Sequence, residues 1–368
     1  MRLKVGVTIC TGIKKFFLNC GLSSLIMGLS SPSAINSVRP FCAVEGGRIT
    51  IDGINLSCEV QSVPEVHLGT KIARVVHASN NSVSVVVPQG LGGGRTAIKV
   101  TGMTGETAFV DVGIPVAMGL HQVDSPVIGV DGSIYLTFSG SRGESMPVSV
   151  YRVRSDGFRE PFVSGITNPT SMTFGPDGKL YLSSRFEGAV YQIHSDGSYE
   201  VFASDLGIAC GLAFSSDGAL YVGDRSGTVF RIGSSGKKEE FSRLPSSIAA
   251  FHLAWGPDDA LYVTAPTLST SDKVYRIDQE AHVEEICSGF GRPQGLAFDP
   301  NGALYVVEAL AGSSGVYRVA TDGSIARVLA GNSLIGLAFD QKDGSVLVAS
   351  NECVYRLDSS GFLGNSFG

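Results

Sequence analysis

Polar side chains with chemical potential are few in this chain of 368 residues, and they sit beside short apolar runs. Asp124, His252 and Gln294 precede or open such runs, while Ser184-Arg185, Asp224-Arg225 and Glu308 follow them. Carboxylates, a histidine, an amide and two arginines gathered at one mouth could hold a small polar ligand. The candidate ligand-binding set is therefore Asp124, Arg185, Asp224, Arg225, His252, Gln294 and Glu308. Taken singly, Asp224 and Glu308 have a plainer role open to them, pairing with arginines or capping loops. Residues 139–144 and 264–272 are long polar connections that could border the same mouth. No His-Glu-x-x-His pair occurs. The glycine run 90–94 leads into Arg95-Thr96, where a phosphate loop needs Lys and then Ser or Thr. No catalytic residue can be assigned, and the lone His67 and His77 are better explained by surface or strand positions than by metal binding.

These residues must be positioned by a repeat. Thr-Ser-Met-Thr-Phe-Gly-Pro-Asp-Gly-Lys-Leu-Tyr-Leu at 170–182 returns at 210–222, 251–263 and 294–306, and in looser form at 336–348 and 127–136. Asp131, Asp177, Asp217, Asp258, Asn301 and Asp343 mark the turn of each copy. Asp-Gly and Asn-Gly tolerate positive φ and close tight hairpins. A third strand follows each hairpin, as in Val150-Tyr151-Arg152-Val153 and Val354-Tyr355-Arg356-Leu357, and a fourth follows in all but the last unit. Four short strands in about 40 residues is the pattern of a propeller blade, whose faces are buried by stacking around a ring. Only residues 359–368 remain after the sixth third strand. The segment 115–120 matches 161–166 in position before the next unit, so it is expected to supply the missing outer strand and cover an open sheet edge. The Leu-Tyr-Val and Val-Tyr-Arg runs follow the repeat and read as blade framework.

Composition agrees with an all-β chain. Hydrophobic residues make up 43%, charged residues 17%, and glycines number 47. The net charge of -6 with no basic block argues against nucleic-acid binding. No apolar stretch reaches the length of a spanning helix. Seven widely spaced cysteines read as small buried residues; Cys42 and Cys58 are the one pair within the N-terminal segment 37–114. Lys14-Lys15, a broken apolar run over 16–29 and Ser-Ser-Pro-Ser-Ala at 30–34 have the order of a signal peptide, which would make the protein exported or periplasmic. Fifteen residues precede that run and polar residues interrupt it, so an extension without that role, and a cytoplasmic protein, stay open.

Residues 37–114 differ in texture, with six or seven short strands expected in under 80 residues, as in a β-sandwich. Gly46-Gly47, Ile49-Thr50-Ile51-Asp52-Gly53, Pro64 to Gly69 and Val87-Pro88 with Gly93-Gly94 give this segment a resemblance to the IPT/TIG immunoglobulin-like domain. That resemblance implies a spacer or interaction module. The repeat resembles the NHL, TolB-like and regucalcin/gluconolactonase group of six-bladed propellers, on the Gly-Leu-Ala-Phe-x-x-Asp-Gly-x-Leu-Tyr-Val pattern. The lactonase members imply a divalent metal, calcium or zinc, held in the central channel by carboxylates and asparagines just before the Gly-Leu-Ala-Phe stretch. Those positions here hold Asp124, Thr170, Cys210, Phe251, Gln294 and Ile335. One carboxylate is a poor set for a hard cation, and of the six only Asp124 could serve as a metal ligand.

The expected fold is thus all-β: a signal-like or disordered extension 1–36, an immunoglobulin-like β-sandwich over 37–114, and a six-bladed β-propeller over 115–360. The expected function is recognition of a small polar molecule, a glycan or a protein partner through the channel face, without nucleic acid or a membrane span. The alternative is a metal-dependent lactonase or esterase of the gluconolactonase type.

Overall fold

The computed structural model describes residues 33–56, 63–103, 107–359 and 362. The described chain is all-β, with almost no helix. None of its helices is long and apolar enough to cross a membrane.

The repeat folds into four-stranded antiparallel sheets. The first contains Val127–Ile128, Ile134–Thr137, Val150–Val153 and Arg159–Val163 in that order. Three more follow in the same up-and-down order over 169–203, 209–243 and 252–290. A fifth separate sheet joins Leu334–Phe339, Val346–Ser350 and Cys353–Leu357 to Ile114–Met118. In it, Cys353 pairs with Met118 and Val354 with Ala117, so a strand drawn from before the repeat closes the last unit. The strands Pro293–Phe298, Leu304–Glu308, Gly315–Val319 and Ile325–Ala330 form the same ladder at one end of a twelve-stranded sheet. The first strands of all these ladders lie side by side in a closed circuit: 127–128, 169–174, 209–214, 252–255, 293–298 and 334–339, then back to 127–128.

The hairpin turns explain why the repeat folds this way. Gly132, Gly178, Gly218, Gly302 and Gly344 all take positive φ, between 71° and 84°. At the one copy lacking this glycine, Asp259 takes the same conformation with φ of 56°, tolerable because a short polar side chain can bond locally. Tyr135, Tyr181 and Tyr221 then pack edge-on or tilted against the aromatic residue of the next sheet, with ring centroids 4.9–5.6 Å apart in the pairs Tyr135–Phe174, Tyr181–Phe214 and Tyr221–Trp255. The tyrosines are therefore the packing between sheets.

The N-terminal strands have a core of their own, built from Ile49, Ile51, Val66, Leu68, Val83, Val85, Ile98 and Val110. Their first strand, Ala34–Arg39, begins inside the span 1–36 that the sequence suggested was an extension, because Ala34 and Ile35 pair with Ile54 and Gly53. Cys42–Ala43 runs parallel to both Ala108–Val112 and Ile325–Ala330, and the Val44 amide donates to the Ala330 carbonyl at 2.8 Å. Cys42 and Val44 also join the apolar cluster of Tyr305, Leu329, Tyr355 and Phe362, so one core spans the junction. Cys42, Cys210, Cys287 and Cys353 are buried free thiols, while Cys58 lies outside the described residues.

Candidate functional site

In four of the six ladders the first strand carries a register irregularity near its start. It falls between Pro169 and Met172, Ala209 and Leu212, Pro293 and Leu296, and Leu334 and Gly336. A break of this kind frees side chains from the ladder's alternation and re-aims them. The freed residues include Thr170, Cys210, Gln294 and Ile335. Three of these, Cys210, Gln294 and Ile335, line a pocket of about 290 Å³ together with Gln122, Arg185 and Arg225.

One step further along, the same strands place small residues: Ser125, Ser171, Gly211, Gly295 and Gly336. A Cβ on Gly336 would lie 2.4 Å from Ser125 Cα, and one on Gly295 would lie 2.7 Å from Gly336 Cα, so the strands crowd together at this level. His252 holds the equivalent place in the fourth copy, the only large side chain there. Its Nδ1 lies 2.7 Å from Oδ1 of Asp124, which belongs to the segment entering the first sheet. Asp124 and His252 are three strands apart by either way around the circuit, so the pair bridges it. His252 is 1% exposed and Asp124 5%. The same Asp124 oxygen accepts from the Ser125 amide at 2.6 Å, which fixes the carboxylate. Nε2 of His252 is buried with no partner. An imidazole oriented by a carboxylate at Nδ1 and unpartnered at Nε2 can exchange a proton with a group brought against Nε2, although neither His252 nor Asp124 lines the pocket itself.

Arg185 dominates the pocket's electrostatics. Among the described residues it makes no hydrogen bond and no ion pair. Burial lowers its pKa from the usual arginine value, the nearby Cys210 thiol opposes this, and the charges of Arg225 and Arg142 add to the lowering. Arg225, by contrast, is committed. It donates to the carbonyls of Ser247, at 3.2 Å, and Ile248, at 2.6 Å, and so pins the loop that forms one wall of the pocket. Gln122 is 1% exposed, and its Oε1 has no partner. The Cys210 thiol is pushed up to about 12, first by burial, so it is no nucleophile at neutral pH.

Asp224 and Glu308 are loop organisers. Asp224 accepts from the Ile208 amide at 2.8 Å and from the Ser226 hydroxyl. Glu308 accepts from the amides of Gly291 at 2.6 Å, Arg292 at 2.9 Å and Leu310 at 2.6 Å. Ser184 and Ser350 occupy the equivalent end of the second strand and make similar loop contacts. The position is a capping site of the repeat that is filled by whatever polar residue suits the loop.

The structure therefore joins Asp124 to His252, sets Arg185, Arg225 and Gln294 on one pocket, and leaves Asp224 and Glu308 in the framework. A hard divalent cation does not fit this arrangement, because the channel offers the single carboxylate of Asp124, already engaged. Among the described residues, the three-residue group of His, Asp and Glu close enough to share an ion is Asp278, Glu280 and His282, in an outer turn. Gln122 was not among the residues singled out from the sequence. It lies just before the repeat begins, where no periodicity marks it.

Residues 127–331 match the sequence profile of the virginiamycin B lyase family, more than half of the chain. No curated protein sequence matches the chain. Among solved structures, a putative gluconolactonase aligns with a TM-score of 0.55 and 17% identity, over 67% of this chain and 91% of that one. An auxiliary nutrient binding protein from Bacteroides thetaiotaomicron aligns with a TM-score of 0.54 and 12% identity, over 90% of this chain and 98% of that one. A streptogramin B lyase aligns with a TM-score of 0.50 and 19% identity, over 84% and 97%. At these identities the likeness is one of fold.

Proposed function

The chain belongs to the virginiamycin B lyase family, and from that premise we propose that its channel pocket recognises a small polar ligand carrying a carboxylate or similar anionic group. The observation that carries this is Arg185, a half-buried guanidinium on the pocket wall with no counter-ion among the described residues. A partly desolvated charge without a partner is unfavourable, and a ligand anion would relieve it through a forked pair of hydrogen bonds. Gln122 and Gln294 supply amide groups to fix the rest of the ligand. A pocket of about 290 Å³ suits a molecule the size of a sugar acid. This reading takes the ladder over 293–330 as a sixth blade, which makes 114–358 a six-bladed propeller. It takes the N-terminal strands as an immunoglobulin-like module of the IPT/TIG type. A glycan or protein bearing an acidic sugar or side chain would satisfy the same chemistry.

The test is calorimetric titration of the full chain with gluconate and with glucuronate. Saturable binding of either, lost in Arg185→Gln, is expected. No binding of either acid, or equal binding by the variant, would overturn the reading.

The Asp124–His252 pair favours a second reading, cleavage of a lactone or ester by acid–base chemistry without a metal. His252 would take a proton at Nε2 while Asp124 holds the ring and balances the imidazolium. Incubation with virginiamycin B, the compound in the family's name, followed by mass spectrometry tests it. An opened product of unchanged mass indicates elimination, and a gain of one water indicates hydrolysis. Either should vanish in His252→Ala, and an unaltered compound sinks this reading while leaving the binding proposal standing.

A further inference from the structure

A second cleft, which shares no lining residue with the channel pocket, lies where the N-terminal strands meet the ladder over 293–330. It measures about 390 Å³ and is lined by Arg48, Arg74, Gly312, Ser314, Arg327 and Asn332 among others, with no aspartate or glutamate in its wall. We propose that this cleft binds a tetrahedral oxyanion, phosphate or sulfate, free or carried on a small molecule.

The arginines are placed by strand register. Arg48 and Arg74 each stand opposite Val86, one on the strand to either side. Residues in register across a sheet share a face, so both side chains leave the same surface about 10 Å apart, two strand spacings. Among the described residues neither makes a hydrogen bond or an ion pair. Arg327 comes from the other wall. One of its terminal nitrogens donates to the Ser314 carbonyl at 2.5 Å, and its Nε is buried without a partner. Burial lowers the Arg327 pKa, and the Arg48 charge lowers it further, so the two guanidinium groups feel each other across the cleft. Ser314 is 4% exposed, and its hydroxyl is buried without a partner.

Three cations, an unpaired hydroxyl and the Asn332 amide face one space with no acid to balance them. Like charges brought together and partly desolvated cost free energy unless an anion completes the site. A monocarboxylate brings one charge and two oxygens, too few for this set of donors. A phosphate or sulfate brings up to two charges and oxygens in every direction, which suits forked guanidinium contacts from two walls. The two walls come from different parts of the fold, so a bound oxyanion would also clamp the junction.

The test is titration calorimetry on the full chain at low ionic strength, with inorganic phosphate, inorganic sulfate and glucose 6-phosphate as separate probes. Arg48→Gln/Arg74→Gln is the working variant because both side chains are exposed and the fold does not rest on them. One site per chain is expected, with binding weakened at least about tenfold in the double variant and unchanged in Arg185→Gln. Tighter binding of the ester than of inorganic phosphate would assign a phosphorylated molecule, and the reverse order the free ion. Absence of binding by all three probes would overturn the proposal. So would equal binding by the double variant, or loss of binding in Arg185→Gln, which would move the anion to the channel.

Discussion

At the scale of single residues, the side chains that lack a partner are the ones left able to act on a ligand. Arg185 and Gln122 line one pocket, and Nε2 of His252 is buried without a partner, whereas Asp224 and Glu308, equally polar, spend their capacity mainly on backbone amides. The sequence could nominate all of these except Gln122, but it could not separate them, because a capping carboxylate and a ligand-binding one look alike in a repeat. His252 did carry a signal: it stands where the other copies place glycine or serine. Its pairing with Asp124, 128 positions away, is a property of ring closure and has no local trace. Asp124→Asn is expected to keep the fold and lower any His252-dependent turnover by at least about tenfold, since the ring loses its charge partner; turnover equal to wild type would remove His252–Asp124 from the chemistry. The thiols give a separate test. Burial raises Cys210 and Cys42 to about 12 and Cys287 to about 11, above the ordinary 9.0. The folded chain therefore holds these protons more tightly than the unfolded one. Stability should be unaffected by them below about pH 9 and should fall as pH rises from there toward 12, by up to about 1.4 kcal/mol per pH unit for each thiol. Denaturation midpoints measured across that range check the slope, and the substitution Cys210→Ala should reduce it.

At the scale of elements, the hairpins were the most legible part of the chain. Asp-Gly and Asn-Gly turns, alternating apolar runs and a spacing near 40 residues leave little freedom, because only one handed turn closes each pair of strands. Less visible was what happens at the inner ends of the strands. The register breaks at 170–171, 210–211 and 294–295 aim the pocket residues inward, and nothing in the alternation of the sequence announces them. The N-terminal boundary was also blurred, because Ala34 and Ile35 pair with a strand twenty residues away and carry no turn signal before them. Three substitutions probe this level. Gly336→Ala would drive a methyl group to within 2.4 Å of Ser125 Cα, backbone that cannot swing aside, and should cost about 1–3 kcal/mol in chemical denaturation. Ala117→Asp would bury an unpaired charge against Val354 in the closing strand and should lower the melting temperature strongly, whereas the exposed Met118→Lys should not. Equal stability of the Ala117→Asp chain would mean that the Ile114–Met118 strand does not hold the last sheet.

At the scale of the whole molecule, the N-terminal strands and the repeat are joined by shared hydrogen bonds as well as by chain. Cys42–Ala43 pairs with Ala108–Val112 on one side and Ile325–Ala330 on the other, and Val44 joins an apolar cluster that reaches Tyr355 and Phe362. The full chain should therefore unfold in one cooperative step, and a chain beginning at residue 114 should unfold at lower denaturant. Two separate transitions in the full chain would mean the junction carries little energy. The same joining makes a ring whose centre is closed by Asp124 and His252 and whose mouth presents Arg185. Whether this mouth seats a small anion can be read from a crystal of the full chain soaked in gluconate. Ligand density is expected in the channel pocket, with the carboxylate within hydrogen-bond distance of the Arg185 guanidinium, and none is expected in Arg185→Gln. An empty channel pocket at saturating gluconate, or density confined to the cleft of Arg48, Arg74 and Arg327, would contradict this expectation.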